Sequence, residues 1–179
     1  MIKNIKESLK NYFEDESLIN PIGTPNSETG YAERDVNWMK ENLIPKIENL
    51  IDKNINKNCL DVGCAQGYFT RVLSETFEKT YGIDLSNNRI NYAKKYETET
   101  LKFVQSDLTE SFADKFPIKF DFMFTNAVLP HIPLEFKKDV FKNLAEVANT
   151  GCIFVMYDGM LNDDNKHKHD GNNQADFKN

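Results

Sequence analysis

Residues 63–67 read GCAQG, between an apolar run, CLDV at 59–62, and an aromatic run that suits a helix. A glycine where a buried strand becomes a turn lets the backbone approach a ligand closely, because no Cβ intrudes. The free N–H groups of the helix that follows point at the same place. Such a turn can cradle a cofactor; the plain alternative is a strand–turn–helix junction that holds nothing. Asp84, in TYGIDLS, follows at about 20 residues, the spacing at which a carboxylate takes hydrogen bonds from both hydroxyls of a ribose. It could also serve, with Ser86, as a cap for a helix over 87–96. Asp107, in FVQSDLTE, suits an adenine amino group or a simple turn. His131, in NAVLPHIP, is the one histidine before the polar tail and the candidate proton acceptor.

These residues need a scaffold that gathers strand ends. Apolar runs at 59–62, 80–85, 101–105, 120–125 and 152–157 read as strands. Helical spacing fills the gaps at 67–78, 87–96 and 134–148, the last with Phe136, Val140, Phe141, Leu144 and Val147 on one side. The gap at 107–119 has room for one helical turn. Strands alternating with helices predict a parallel sheet covered on both faces, and a reversal of strand order makes it doubly wound. Ligands then bind beyond the carboxyl ends of the strands, where GCAQG, Asp84 and Asp107 all fall. Upstream, residues 2–13 carry an amphipathic stripe of Ile2, Ile5, Leu9 and Phe13. Residues 16–30 read as a loop, and 33–52 as a helix with Val36, Met39, Leu43, Ile47, Leu50 and Ile51 on one side. Pro45 is expected to kink or divide that helix.

DVGCAQG, GIDLS, SDL and FDFMFTNAVLPHIP, in that order, resemble the successive motifs of class I S-adenosylmethionine-dependent methyltransferases, over roughly residues 55–158. The resemblance implies a Rossmann-like core, a mostly parallel sheet of order 3-2-1-4-5 with helices on both faces. It implies S-adenosylmethionine as cofactor and S-adenosylhomocysteine as product. By the same likeness Asp61, Gly63, Cys64, Ala65, Gln66 and Gly67 would line the methionine part. Asp84 would hold the ribose with Leu85 beside the adenine. Ser106, Asp107 and Leu108 would contact the adenine, and Asn126 and Ala127 would face the methionine amino group and the sulfonium. One departure stands out: the family's middle glycine is Ala65 here. Cofactor binding should survive that change if φ at this position is negative. A dinucleotide dehydrogenase is the rival reading, but it wants G-x-G-x-x-G, and this chain has G-C-A-Q-G.

Methyl transfer from a sulfonium asks the protein mainly to align the acceptor. A base is needed when the acceptor is a hydroxyl, and His131 is the candidate; its alternative is to pack near the cofactor and order the loop. Substrate-binding candidates are Tyr31, Arg34, His131 and Asp158. Arg34 could clamp an acidic acceptor or form a surface ion pair, and Asp158 could be a turn residue. Tyr12 and Trp38 lie in the same amino-terminal segment, and Trp38 suits core packing equally well. TNAVLP is not an Asn-Pro-Pro-Tyr type sequence, which points away from base and amide methylation. A small polar metabolite, a sugar or phosphate-bearing precursor methylated at oxygen, is the expected acceptor.

The whole chain has 179 residues, 40% hydrophobic and 28% charged, with a net charge of -6. That length suits one sizeable core. The acidic balance disfavours a large phosphate-tracking surface, so no nucleic-acid partner is expected. No apolar run reaches the roughly 20 residues of a bilayer span, and the charged start does not read as a secretory signal. Cys59, Cys64 and Cys152 all fall in or beside apolar runs, which reads as reduced core thiols in a cytoplasmic protein. The wealth of Lys, Asn, Ile and Phe suggests AT-rich bacterial coding. His167 and His169 sit in a polar tail with no ligand cluster, so no metal site is expected.

The expected organisation is a helical lid at 1–54, a cofactor-binding core at 55–158 and a polar tail at 159–179. Similar enzymes continue after the fifth strand with a helix and an antiparallel pair. Their apparent absence suggests a truncation point, with the alternative of a non-catalytic cofactor- or partner-binding module. The exposed sheet edge would then suit a homodimer.

Overall fold

Short runs that are almost wholly apolar suit strands buried on both faces. The computed structural model describes residues 6–8, 10, 11, 14, 36–51 and 58–157. Among them β1 (Asn58–Val62), β2 (Lys79–Asp84), β3 (Leu101–Gln105), β4 (Phe120–Asn126) and β5 (Ala148–Tyr157) form one sheet, in the order β3-β2-β1-β4-β5. Every neighbouring pair is parallel. The order reverses at β1, so the crevice between the carboxyl ends of β1 and β4 is the switch point at which such sheets bind ligands.

Residues alternate faces along each strand. Leu60 and Val62 of β1 join Ile83, Met123 and Phe112 beneath α4 (Leu134–Val147), whose Val140, Leu144 and Val147 are buried. Cys59 of β1 joins Phe122, Phe124 and Phe77 on the other face, under α2 (Tyr68–Leu73). Phe77 stacks on Phe122 with ring centroids 4.9 Å apart, a contact worth about 1 kcal/mol beyond its area. The short helix α3 (Asn87–Ala93) connects β2 to β3, and its Ile90 and Ala93 pack with Cys64 and Phe103.

The segment at 36–51 also packs on the second cluster, through Met39 and Ile47. Pro45 takes an unexpected form. The chain makes a π-helical turn over Met39–Leu43 and then continues as α1 (Ile44–Leu50), with proline in its first turn. A proline there lacks an N–H and crowds the preceding turn, and the wider turn accommodates both. The shift in phase moves Leu50 off the buried stripe, and it is 56% exposed. Trp38 packs against Tyr157 at the end of β5, the rings tilted by 32° with centroids 4.9 Å apart.

β5 starts earlier than its apolar run predicts. The Asp121 carboxylate explains this: it accepts from the Asn58 N–H (3.0 Å) and the Asn149 side-chain amide (2.6 Å), tying the starts of β1 and β5 to β4. A register shift between Phe120 and Phe122 absorbs the extra residues. Cys59 and Cys64 are buried, Cys152 is half-buried, and all three are free thiols. Among the described residues no helix is long and apolar enough to cross a membrane, and no group of side chains could hold a metal ion.

Candidate active site

The turn after β1 is built from backbone. The N–H groups of Gly63 and Cys64 both donate to the Ile83 carbonyl, at 2.8 and 3.0 Å, which folds the turn against the end of β2. Gly63 and Gly67 take φ of +76° and +78°, and a Cβ on Gly63 would sit 2.2 Å from a methyl of Val128. Glycine is required there on both counts. Ala65 does not meet the condition set by the sequence. Its φ is +48°, in the left-handed region that costs a residue with a Cβ about 1–2 kcal/mol. Two successive amides directed at one carbonyl leave the next residue to reverse the chain. The Ala65 N–H then finds the Asp84 carboxylate at 2.8 Å.

Asp84 is therefore held from two sides. One oxygen accepts from Ala65 and the other from the Ser86 N–H, also at 2.8 Å. Burial pushes its carboxyl above the ordinary aspartate value, against the opposing pull of those amides and of Arg89. Ser86 caps α3, its hydroxyl accepting from the Arg89 N–H. Ser86 thus serves as the helix cap, and Asp84 faces a cavity.

That cavity, of about 260 Å3, is lined by Gly63, Ala65, Asp84, Leu85, Asp107 and Leu108. Asn126, Ala127, Val128, His131, Ile132 and Phe136 line it as well. Asp107 forms the expected turn, one oxygen accepting from both the N–H and the hydroxyl of Thr109 at 2.8 Å. Its other oxygen lies 3.9 Å from the Lys6 ammonium. Ala127 is the second non-glycine residue with positive φ among those described, at +53°. Both left-handed alanines thus border one cavity, the kind of place where backbone strain collects. His131 closes a short 3-10 turn, Leu129–His131, and is exposed at the cavity wall.

Asp61, Cys64, Gln66, Gly67 and Ser106 stand behind this wall and are buried. Asp61 accepts a 2.6 Å hydrogen bond from the Thr70 hydroxyl. Burial pushes its carboxyl up to about 7, against that bond and with a further push from Asp84. The Cys64 thiol packs beneath Gly82, and the Phe103 ring beneath Gly67. Tyr31, Arg34 and Asp158, like Tyr12, His167 and His169, lie outside the described residues. Trp38 is not part of the cavity wall.

Sequence reasoning missed Lys6, Arg89, Val128 and Phe136, which also line the cavity. Arg89 had a local signal, since the first turn after Asp84 must face the same edge. Lys6 had none beyond lying on the polar side of a helical stripe.

Residues 60–156 match the model of the methyltransferase domain family. Over 89 residues the chain is 30% identical to a ubiquinone biosynthesis O-methyltransferase from Idiomarina loihiensis, covering 49% of this chain and 37% of that protein. Over 118 residues it is 21% identical to ribosomal RNA small subunit methyltransferase A of Mycoplasma mycoides subsp. mycoides, covering 64% and 44%. The chain spans less than half the length of these curated relatives. A solved DhpI–SAM–HEP complex superimposes with a TM-score of 0.60 at 20% identity, over 85% of this chain and 64% of that one. Phosphoethanolamine N-methyltransferase 1 of Haemonchus contortus, solved with phosphoethanolamine and S-adenosylhomocysteine, gives a TM-score of 0.60 at 16% identity, over 83% and 31%. At such identities the structural likeness is one of fold. The rival dehydrogenase reading falls away, and with a family model matched over more than half its length the chain belongs to the methyltransferase domain family, as a class I member of the kind that uses S-adenosylmethionine.

Proposed function

We propose that the chain binds S-adenosylmethionine in the cavity at the carboxyl ends of the strands and methylates a small polar acceptor, at oxygen. The observation that carries this reading is that one cavity is lined both by Asp84 and Asp107 and by Asn126, Ala127 and His131. The residues present suit the cofactor. Two carboxylates line the wall, each with one or both oxygens already oriented by N–H donors. Half-buried Leu85 and buried Leu108 offer apolar surface between them, and Gly63 leaves backbone bare where a side chain would intrude. When bound, the cofactor supplies a methyl group already activated on a sulfonium.

The chain's own residues then bind, orient and move a proton. Asp84 accepts from the ribose hydroxyls and Asp107 from the adenine amino group. Asn126 and Ala127 border the methionine end. His131, exposed at the cavity wall, takes the proton of an acceptor hydroxyl. The net charge of -6 favours a small acceptor over a long polyanion.

The test is calorimetric titration with S-adenosylhomocysteine, followed by a methyl-transfer screen over small hydroxylated and phosphorylated acceptors. Asp84→Ala should weaken binding by roughly a hundredfold, because charge-assisted bonds are lost and two amides lose their acceptor. His131→Ala should leave that binding intact and lower kcat by roughly a hundredfold or more on a hydroxyl acceptor. Transfer confined to RNA or protein would refute the acceptor class. Equal binding by wild type and Asp84→Ala would refute the cofactor site.

A further inference from the structure

The buried face of α4 has one polar member. Phe136, Val140, Leu144 and Val147 recur at helical spacing, and Asn143 falls among them, 7% exposed. A primary amide at such a place costs stability unless its N–H groups find acceptors, and leucine would suit both the helix and the core better. The donors of Asn143 reach outside the helix. Its side-chain nitrogen donates to the Leu108 carbonyl at 3.0 Å and to the Glu110 carbonyl at 2.8 Å. Both acceptors belong to the loop that follows β3.

That loop needs an outside hold. Parallel strands are usually joined by an α-helix that packs on the sheet. Between β3 and β4 the chain makes only a short 3-10 turn, Ala113–Lys115. Residues 106–112 form neither helix nor strand, yet they carry Asp107 and Leu108 of the cavity wall. Within the loop, the Thr109 N–H and hydroxyl hold one oxygen of Asp107, and the Glu110 N–H donates to the Asp107 carbonyl at 3.1 Å. These bonds fix Asp107 to its own turn and leave the turn to be placed. Asn143 ties it to α4, whose Val140 and Leu144 are packed with Leu60, Ile83 and Met123 of the sheet.

We propose that Asn143 is a positioning residue for recognition of the purine base, setting the place of the Asp107 turn so that a carboxylate oxygen meets the adenine amino group. Asn143 does not line the cavity and acts through the backbone of Leu108 and Glu110. The proposal rests on the reading that Asp107 accepts from that amino group. The oxygen concerned is the one that Thr109 does not hold. At 3.9 Å the Lys6 ammonium is too far from it for a hydrogen bond, so the turn itself must aim it. Adenine presents an N–H donor at this edge, and hypoxanthine presents a carbonyl oxygen. A carboxylate held in place tells the two apart; one free to retreat does not.

The experiment is calorimetric titration of the full chain with S-adenosylhomocysteine and S-inosylhomocysteine, for the wild type, Asn143→Leu, Asn143→Gln and Asp107→Ala. The wild type should prefer the adenine ligand by roughly a hundredfold, as for one charge-assisted hydrogen bond. Asn143→Leu should reduce that preference to about tenfold. Asp107→Ala should abolish it. Asn143→Gln keeps the amide on a longer side chain and should restore part of it. Hydrogen exchange of the free protein adds a second readout. The Thr109 and Glu110 amides, both bonded to Asp107, should exchange about tenfold faster in Asn143→Leu, beyond any change at the core amides of β1 and β4. Asn143→Ala takes the place of a leucine variant that does not fold. An unaltered preference in Asn143→Leu, beside its loss in Asp107→Ala, would overturn the positioning role and leave the cofactor reading standing, however far stability falls. An unaltered preference in Asp107→Ala would overturn the adenine reading and the proposal with it. Failure of the wild type to bind would overturn both.

Discussion

The turn after β1 and the loop after β4 line the same cavity, and each carries an alanine in the left-handed region. They are built in opposite ways. In the turn, the amides of Gly63, Cys64, Ala65 and Gly67 all have acceptors within the protein, and Cys64, Gln66 and Gly67 are buried. In the loop, the Ala127 N–H reaches the Tyr157 carbonyl and the His131 N–H closes the short helical turn, while Ala127, Pro130 and His131 are exposed. The turn is therefore shaped by backbone locked to its neighbours. The loop is shaped by side chains on an exposed surface. Backbone geometry of this kind leaves glycines and carboxylates at readable spacings; an exposed loop that must suit one acceptor leaves no such pattern.

The two regions meet at Gly63 and Val128, and the sharpest way to break the contrast is to add a methyl group there. Gly63→Ala places a Cβ against the Val128 side chain and forces alanine to φ near +76°. Overpacking and left-handed strain together should cost about 3–4 kcal/mol. Val128→Ala in the same protein should recover the overpacking part and leave the strain. Denaturant unfolding of the two single variants and the double variant measures both parts. Full recovery would mean that the turn tolerates alanine here and that its backbone is less rigid than its hydrogen bonds imply.

A second test uses pH. Asp61 lies under the turn, and burial raises its carboxyl to about 7 from an ordinary value of 3.8. The folded protein therefore holds a proton that the unfolded chain has released, and the stability tied to it declines as pH rises toward 7. Between pH 5 and 8 this should amount to roughly 2–3 kcal/mol. Asp61→Asn keeps an acceptor for the Thr70 hydroxyl and cannot ionise, so its stability should change far less over that range. Thermal unfolding of both proteins across pH gives the answer. Parallel profiles would show that Asp61 ionises in the folded state without penalty.

Much of this architecture was legible because it rests on local rules. The run at 101–105 became β3 with the same limits, since Leu101 and Phe103 point to one buried face. The stripe on α4 held for Phe136, Val140, Leu144 and Val147, while Phe141 fell at its margin and is 42% exposed against Phe154. What stayed illegible depends on distant parts of the chain. Ala148 to Gly151 carry no apolar period, and only Asp121 and the shifted register of β4 make them strand. Leu50 left its stripe because the π-helical turn before Pro45 changed the phase. Glu14 meets Asn87 across 73 residues, from a segment in which periodicity alone could be read. Lys6, from the same segment, meets Asp107, another contact that no local pattern announces.

The smallest expected effect is also the most direct comparison of the two regions. Alanine in the left-handed region costs about 1–2 kcal/mol. Glycine there loses roughly 0.5–1 kcal/mol more entropy on folding. Strain wins by a small margin, so Ala65→Gly and Ala127→Gly should each stabilise the fold by about 0.5–1 kcal/mol. Their effects on S-adenosylhomocysteine should differ. Ala65 is tied through its N–H to the Asp84 carboxylate, so glycine there relaxes the geometry around the carboxylate proposed to take the ribose and should tighten binding about twofold to fivefold. The Ala127 N–H is tied to the Tyr157 carbonyl and not to a carboxylate, and its change should leave that affinity unaltered. Equal shifts in affinity from both substitutions would mean that the loop after β4 is as firmly built into the cofactor site as the turn after β1, and that exposure alone does not divide the cavity.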